Sequence, residues 1–504
     1  MLLRPDGSGG VAVSGDPQHP ANFGRLCSKG SALGETVGLD HRLLTPRVFG
    51  KDAEWNDALQ LVTDRFRETI AAHGPDSVAF YVSGQLLTED YYVANKLMKG
   101  FIGSANIDTN SRLCMASSVA GHKRAFGTDT VPGTYEDLDE ADLVVLVGSN
   151  LAWCHPVLYQ RLMSARKTRG TRIVVIDPRR TASCEGADMH LALAPGSDVA
   201  LFNRLLPESH ETGAIEVGFI ANTRGFDAAM DAARAATTSA TGLSEREIAA
   251  FCRLWIGTER VVTIYSQGVN QSTSGSDKVN AILNCHLATG RIGKPGMGPL
   301  SVTGHPNAMD GREGGALANM LVCHLDLVNP DHRAAVRAFW NAPAVPDAPG
   351  LKAVDMFNAV GDGRVKALWI VHTNPAVSMP EADAVRDAIA ACPFTVVSDI
   401  TAETDTARLA DVLLPATAWA EKDGTVTNSD RTISRQRAVL PAPGGARPDW
   451  AILAEVGRRM GFAQAFDFAS PAEIFREYAT LSGIAGRFGR DFDISDFAEL
   501  SDGG

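Results

Sequence analysis

Short apolar runs recur along the 504-residue chain, and each run is followed by a cluster of small or polar residues. The runs carry Val, Ile and Leu at consecutive positions, as strands buried on both faces do. We predict strands at 77–82, 143–147, 172–176, 189–193, 261–265, 368–371 and 394–397.

Helix-like segments lie between these runs. In 54–72, apolar residues return at helical spacing, and 381–391 follows directly after Pro380, which favours a helix start there. Strands that alternate with helices are typical of parallel, doubly wound sheets. The predicted fold class is therefore α/β.

The turns after the predicted strands are rich in Gly, Ser, Asn and Asp. Open parallel sheets bind ligands at the carboxyl ends of their strands. Any single turn of this kind could be an ordinary strand–helix connection. Seven in one chain favour large nucleotide-like ligands, although the chain has neither a G-x-G-x-x-G fingerprint nor a Walker A motif.

The segment 290–315 is different, because eight of its 26 residues are glycine. We expect no helix or strand at that glycine density. A flexible linker is one interpretation. The many hydrogen-bonding side chains in the segment favour an ordered loop that lines a site.

Composition narrows the function classes. Apolar residues make up 45% of the chain and charged residues 21%, so the chain can build about three globular domains. The net charge of −12 argues against binding to nucleic acid or to an anionic membrane surface. No apolar run approaches the roughly 18–20 residues of a membrane helix, and we predict a cytoplasmic protein with no membrane partner.

Eight cysteines are spread along the chain, and no two are closer than 30 residues. Without a Cys-x-x-Cys pair, the sequence contains no local zinc or iron–sulfur motif. Most of these cysteines are expected to be reduced and buried.

Five longer segments resemble the bacterial molybdopterin-dinucleotide oxidoreductases, and in particular the catalytic subunit of the assimilatory nitrate reductase branch. They are GDPQHPANFGRLCSKGSALGETVGLDHRLLTPRV (15–48), NSRLCMASSVAGHKRAFGTD (110–129), GRIGKPGMGPLSVTGHPNAMDGREGGALANML (290–321), LWIVHTNPAVSMP (368–380) and EKDGTVTNSDRTISRQRAVLPAPGGARPDW (421–450). The resemblance covers nearly the whole chain and implies two dinucleotide-binding α/β domains.

By this resemblance, Cys114 is the protein ligand to molybdenum, for which a soft thiolate is suited. Taken alone, Cys114 would be read as a buried hydrophobic residue. The following residue is Met115, as in nitrate reductases of the family, whereas the formate dehydrogenases carry His after their Cys or selenocysteine. The pair therefore favours nitrate over formate, with Met115 shaping the pocket.

Arg312 is implied to orient the substrate, because a guanidinium matches the planar nitrate anion. The alternative is a surface ion pair of Arg312 with Glu313 or Asp310. At His305, close relatives usually carry Gln, so this position departs from the family's pattern.

The resemblance also implies residues that bind two molybdopterin guanine dinucleotides (bis-MGD). Asp177 and Asp399 are the candidates for pairing with the guanines. One dinucleotide would be lined by Gly148, Ser149, Asn150, Arg179, Pro195, Gly196 and Asp198. The other dinucleotide, or its junction, would be lined by Gly268, Gln271, Asn374, Pro375, Ser398 and Glu403.

Cys27 resembles the fourth ligand of a [4Fe-4S] cluster, and Lys29 resembles the lysine between cluster and pterin. A cubane cluster needs four thiolates, and no other cysteine precedes Cys27. We therefore expect a chain truncated at both ends, which lacks three cluster ligands and the family's C-terminal β-barrel domain.

The implied domains are 1–50 with 425–504, an incomplete iron–sulfur-type domain; 51–108 with 300–424, a discontinuous α/β domain; and 109–299, a dinucleotide-binding α/β domain. The implied reaction is molybdenum-dependent reduction of nitrate to nitrite in nitrate assimilation, with oxygen abstracted at the metal. The electron donor would be a ferredoxin, a flavodoxin or an NAD(P)H-linked reductase subunit. The alternatives are a formate dehydrogenase-like enzyme and a non-catalytic or split fragment.

Overall fold

The computed structural model describes residues 1–7 and 10–501. Its strands are β1 (Leu2–Pro5), β2 (Val11–Ser14), β3 (Arg47–Val48), β4 (Lys51–Asp52), β5 (Val78–Val82), β6 (Ile107–Thr109), β7 (Leu143–Val147), β8 (Arg172–Ile176), β9 (Met189–Leu191), β10 (Val261–Tyr265), β11 (Gly298–Ser301), β12 (Ala367–Val371), β13 (Phe394–Asp399), β14 (Val412–Pro415), β15 (Gly424–Thr427) and β16 (Ile433–Gln436).

The longer helices surround these strands. They are Trp55–His73, Thr88–Asn95, Ser111–Phe126, Pro156–Arg169, Asp198–Glu211, Phe226–Ala235, Glu245–Ile256, Gly275–Ala288, Pro330–Trp340, Ala353–Gly361, Ala382–Ala391, Asp449–Gly457 and Pro471–Gly486. Shorter helices are Ser28–Ser31, Asp137–Glu140, Leu151–Cys154, Val217–Ile220, Gln267–Asn270, Ala308–Glu313 and Pro375–Ser378, and π-helical turns cover Lys96–Ile102 and Arg458–Phe462.

Two parallel sheets organise the described residues. The first has the order β11-β10-β7-β8-β9, with every pairing parallel. The second has the order β4-β3-β14-β13-β12-β5-β6 and is parallel from β14 to β6, with β3 and β4 antiparallel at one edge. The α/β prediction is confirmed.

Both faces of each sheet are buried, as the continuous apolar runs predict. In β7, Leu143 and Val145 join one core with the helix Asp198–Glu211, whereas Val144 and Leu146 join the opposite core with the helix Pro156–Arg169. Helices on both faces leave the two sheet ends as the places where a ligand can approach the strands.

One expectation about secondary structure is wrong. The segment 290–315 contains the strand β11 and the helix Ala308–Glu313. Its glycines do not prevent pairing, because β11 lies at the sheet edge and pairs with β10 alone. The strand directs the following loop toward the helix Ser111–Phe126.

Within the described ranges, none of the helices has the length and apolar character needed to cross a bilayer.

Lys99 fixes the chain that follows the glycine-rich segment. Its buried ammonium donates hydrogen bonds to the carbonyls of Gly315, Leu317 and Met320, at 2.6, 2.9 and 2.6 Å. Replacing Lys99 with Met should leave three buried acceptors without this donor and lower the free energy of unfolding by about 3 kcal/mol. Urea denaturation measures this, with the exposed Lys51→Met as the control; equal stability of the two variants would contradict the assignment.

Candidate functional site

Cys114 lies at a break in its helix. The helix Ser111–Phe126 follows the sheet strand β6, and Met115 departs from helical geometry with φ −139° and ψ 22°. Cys114 is 6% exposed and packs against Met115 and Ala308. The thiol is therefore held at a distorted turn that joins one sheet to the glycine-rich segment.

Polar groups surround the sulfur. Gln267 Nε2 donates a hydrogen bond to Cys114 Sγ at 3.0 Å, and the Thr303 hydroxyl lies 3.3 Å from it. Burial raises the pKa of the Cys114 thiol, but the His305 ring, the Thr303 hydroxyl and the Gly304 amide outweigh burial and lower it to about 7. A thiol with this pKa is substantially thiolate at neutral pH, which is the form that binds metals.

Cys114 also lines a cavity of about 630 Å³ between the two sheets. Asn270 and Gln271 contribute to its wall after β10, and Ser378 and Met379 contribute after β12. The cavity thus lies where the carboxyl ends of strands from both sheets face each other.

Two glycines bring the turns after β7 and β10 into contact. A Cβ atom on Gly268 would lie 2.6 Å from the Gly148 Cα, and Gly148 has a φ of +52°. Gly268 N also donates to the Gly148 carbonyl at 3.0 Å. Side chains are excluded from this crossing, which leaves backbone amides and small polar groups at the sheet end.

Buried polar atoms beside this crossing lack protein partners. Among the described residues, Ser149 Oγ, Gln267 Oε1, both amide atoms of Asn270, and the Nδ1 atoms of His155 and His305 have no hydrogen-bond partner. Buried polar groups are normally paired. This concentration next to a thiolate fits a polar ligand that carries a soft metal.

Arg312 is buried in the helix Ala308–Glu313 and is 3% exposed. Its Nη1 lies 3.4 Å from Asp129 Oδ2, and its Nη2 lies 2.7 Å from Met309 Sδ. The alternative of a surface pair with Glu313 or Asp310 is therefore wrong. Arg312 Nε has no hydrogen-bond partner among the described residues, so the guanidinium keeps a donor that an anion can accept from.

Residues 42–459 match the molybdopterin oxidoreductase family. This chain belongs to the molybdopterin oxidoreductase family. Residues 1–38 match the family's Fe4S4 domain. The Cys114 cavity, the glycine crossing and the unpaired polar atoms are accordingly the features of this chain that fit a molybdenum–pterin group.

Nitrate reductases are among the similar proteins. The chain is 56% identical to one from Klebsiella oxytoca over 98% of its own length and 57% of that protein. It is 41% identical to one from Synechocystis sp. over 93% of its length and 68% of that protein. The chain spans a little over half the length of the first of these relatives.

Among solved structures, acetylene hydratase from Pelobacter acetylenicus is similar, with a TM-score of 0.74 and 17% sequence identity over 96% of this chain and 69% of that chain. At that identity, the likeness concerns the fold alone. It confirms the α/β architecture of the molybdopterin oxidoreductase type.

The residues predicted for one dinucleotide lie at the carboxyl end of the five-stranded sheet. Asp177 accepts a hydrogen bond from the Arg179 amide at 2.8 Å, and Gly196 has a φ of +87° in the turn before the helix Asp198–Glu211. Asp198 is already paired, since its Oδ2 lies 2.8 Å from Lys278 Nζ. Pro195 and Arg179 are exposed at the same end.

The residues predicted for the other dinucleotide have several internal partners. Asn374 Oδ1 accepts from the Thr406 amide and hydroxyl, at 3.1 and 2.7 Å, and Ser398 Oγ accepts from Trp369 Nε1 at 2.9 Å. Glu403 is exposed and pairs with His41 at 2.8 Å. Pro375 begins a short helix after β12.

Asp399 ends β13 and is 8% exposed. Burial raises its pKa. A larger cavity of about 820 Å³ opens beside it, at the carboxyl ends of β5, β12, β13 and β14. Its wall includes Ser83, His372, Ile400 and Thr417, so it lies where open parallel sheets bind ligands.

Cys27 is half-buried at the start of the helix Ser28–Ser31, and its sulfur accepts from the Gly30 amide at 3.4 Å. Lys29 is exposed. Burial lowers the pKa of His155, a hydrogen bond with the Thr303 backbone opposes this, and the charge of Lys29 lowers it further. Across residues 1–7 and 10–501, no group of three Cys, His, Asp or Glu side chains could hold a metal. The described residues alone therefore do not fit a [4Fe-4S] cluster.

Sequence reasoning missed three neighbours of the site. Gln267 and Thr303 contact the Cys114 sulfur, and Asp129 contacts Arg312. Asp129 and Thr303 lie in segments with family likeness, and Gln267 lies in the turn after the predicted strand 261–265. Their contacts depend on tertiary packing across more than 150 positions, for which the sequence carries no periodic signal.

A substitution at the glycine crossing tests whether this end of the sheet holds the cofactor. In Gly268→Ala, the new Cβ would meet the Gly148 backbone and move the two turns apart, so bound pterin should fall at least about tenfold. The measurement is pterin fluorescence released from the purified protein. Gly38→Ala, where nothing lies within 4 Å, is the control; equal pterin in both variants would contradict the role of the crossing.

Proposed function

We propose that this chain is the cofactor-binding part of a nitrate reductase that reduces nitrate to nitrite in nitrate assimilation. The observation that carries the proposal is the position of Cys114, which lines the cavity between the sheets and packs against Met115 and Ala308. Ala308 in turn lies one helix turn before the buried Arg312. Similar nitrate reductases support it.

The cofactor in this proposal is molybdenum held by two molybdopterin guanine dinucleotides and Cys114. When bound, this group supplies the two-electron chemistry that exchanges an oxygen atom. The Cys114 cavity between the sheets and the second cavity beside Asp399 support two dinucleotides. In this arrangement Asp177 and Asp399 would face the guanines, and Gly148, Ser149 and Gly268 would lie against one phosphate-bearing chain.

The chain's own residues position the reaction. Cys114 binds the metal as thiolate, and Gln267 and Thr303 hold its sulfur by the contacts described above. Arg312 binds the nitrate anion, and Met115 and Ala308 limit water around it. The overall change consumes one nitrate, two electrons and two protons, and yields one nitrite and one water.

Electrons would come from a ferredoxin, a flavodoxin or an NAD(P)H-linked reductase subunit. The three-domain division given above belongs to the same proposal. All eight cysteines are free, which supports a cytoplasmic setting because disulfides form in oxidising compartments.

Turnover assays on the purified protein test the proposal, with reduced viologen for nitrate and oxidised viologen for formate. The proposal predicts nitrite formation and at least about a hundredfold preference for nitrate. Formate oxidation without nitrite formation would contradict it, and would favour the formate dehydrogenase-like alternative that Met115 argues against.

Metal and pterin analysis of the same preparation separates an enzyme from a non-catalytic fragment. The proposal predicts molybdenum and pterin bound to the chain. A folded protein, by circular dichroism, that contains neither would contradict the enzyme assignment.

A further inference from the structure

A group of buried charges continues from Arg312 away from the Cys114 cavity. Asp129, Arg312, Glu313 and His324 are each at most 5% exposed. Arg312 Nη1 lies 3.4 Å from Asp129 Oδ2, and His324 Nδ1 contacts the other oxygen of Asp129. His324 Nε2 lies 3.9 Å from Glu313 Oε1, to which Arg431 Nε donates at 3.1 Å.

The backbone holds His324 in an unfavourable conformation. Cys323 and His324 have φ values of +54° and +58°, and neither residue is glycine. Consecutive left-handed residues persist where the surroundings fix them, and they concentrate at functional sites. The ring also packs edge-on against Phe492 at 6.0 Å. The imidazole is therefore fixed between the carboxylates of Asp129 and Glu313.

The surroundings favour a protonated ring. Burial lowers the pKa of His324, but Asp129 and then Glu313 outweigh burial and raise it to about 9. Asp129 is also affected by burial, and His324 and Arg312 hold its pKa well below the usual range. Burial and Glu313 raise the pKa of Asp310 to about 8, so this nearby carboxyl is neutral at pH 7.

The balance of charges decides what Arg312 can bind. Glu313 is balanced by Arg431, which also lies 3.8 Å from the half-exposed Asp491. Asp129 lies between two cations, Arg312 and His324, so this trio carries one surplus positive charge when His324 is protonated. In addition, Nε of Arg312 is buried with no hydrogen-bond partner in the described chain. An anion would satisfy both the charge and the unpaired donor.

We infer that His324 is a positioning residue that sets the affinity of the site for an anionic substrate. It neutralises Asp129, and Arg312 thereby keeps its charge for the incoming anion. Without the imidazolium, Asp129 would neutralise Arg312 instead. The identification of the anion as nitrate rests on the proposed function, whereas the arrangement of charges around Arg312 is independent of it.

The test is a double-mutant cycle in the cofactor-loaded protein with His324→Gln, Asp129→Asn and the two combined. Nitrate affinity is measured by titration calorimetry, and kcat and KM are measured separately. His324→Gln should weaken nitrate binding and raise KM at least about tenfold, with kcat within about threefold of wild type. Asp129→Asn and the double variant should bind nitrate within about threefold of wild type, because no carboxylate then competes for Arg312.

His332→Gln is the matched control, since His332 is 3% exposed, packs on Phe488 and lies outside this network. It should leave nitrate affinity unchanged, and thermal melts report the folding of each variant. If the double variant bound nitrate as weakly as His324→Gln does, the inference would be overturned and a packing role for His324 indicated. Unchanged affinity in His324→Gln would also overturn the inference.

The calorimetry separates this inference from the proposed function. Nitrate binding that depends on His324, without nitrite formation, supports the inference and refutes the reductase. Nitrite formation with an affinity independent of His324 refutes the inference alone. A wild-type protein that binds no nitrate would overturn both.

Discussion

Replacing Cys114 with serine should lower nitrate turnover by more than about a hundredfold. The reason is that the hydroxyl is a harder ligand than the thiolate with a pKa near 7 that this site maintains. Even the removal of a residue that only orients a metal ligand typically lowers metal affinity or activity 10–100-fold. Steady-state nitrite formation, normalised to protein, measures the effect.

Cys184→Ser is the control for Cys114→Ser. Cys184 is similarly buried, at 3% exposed, but it packs in the apolar core beside β7. A thiol-to-hydroxyl change there should alter stability slightly and leave turnover intact. Equal loss of turnover in both variants would indicate damage to the fold rather than removal of a metal ligand.

Changing Arg312 should produce the second large effect. Arg312→Gln removes a buried positive charge and the planar donor pair, so kcat/KM for nitrate should fall by about a hundredfold to a thousandfold, or about 3–4 kcal/mol. Arg312→Lys keeps the charge but loses the two parallel N–H donors. Its kcat/KM should therefore fall less, mainly through a higher KM. Initial-rate kinetics over a range of nitrate concentrations measures both.

Arg291→Lys tests whether any buried arginine near the glycine-rich segment would behave in the same way. Arg291 is 8% exposed, donates to the carbonyls of Trp255, Ile256 and Thr258, and stacks on the Trp255 ring at 4.2 Å. Its replacement should lower the melting temperature with KM unchanged. A rise in KM comparable to that of Arg312→Lys would contradict the substrate role.

The strands with continuous apolar runs were predictable from the sequence. β7, β8 and β10 have the predicted bounds, because buried parallel strands expose neither face and need apolar residues throughout. β11 was missed since an edge strand pairs on one side and tolerates Gly and Pro. β3 and β4 contain two residues each, too few for any periodic pattern.

The site was predictable where a residue's chemistry is unusual for its setting. Cys114 and Arg312 could be named in advance from their polar and glycine-rich surroundings together with the family resemblance. The residues around Arg312 could not. Asp129 contacts Arg312, and His324 contacts Asp129, through pairings between separate elements, and the left-handed backbone at His324 leaves no mark in the local sequence.

The predicted dinucleotide residues show what the sequence does not reveal about a polar side chain. The family resemblance implied Asn374 and Ser398, and the structure pairs them with Thr406 and Trp369. Such internal pairs are invisible in a sequence because the partners come from other segments. Their roles toward a dinucleotide therefore stay predictions.

X-ray absorption at the molybdenum edge, on wild type and Cys114→Ser, tests the central claim most directly. If Cys114 binds the metal, the metal retained by the variant should have one sulfur neighbour fewer and one oxygen neighbour more than that of wild type. The same sulfur count in both proteins, with molybdenum and pterin bound in both, would contradict the assignment of Cys114 as the ligand.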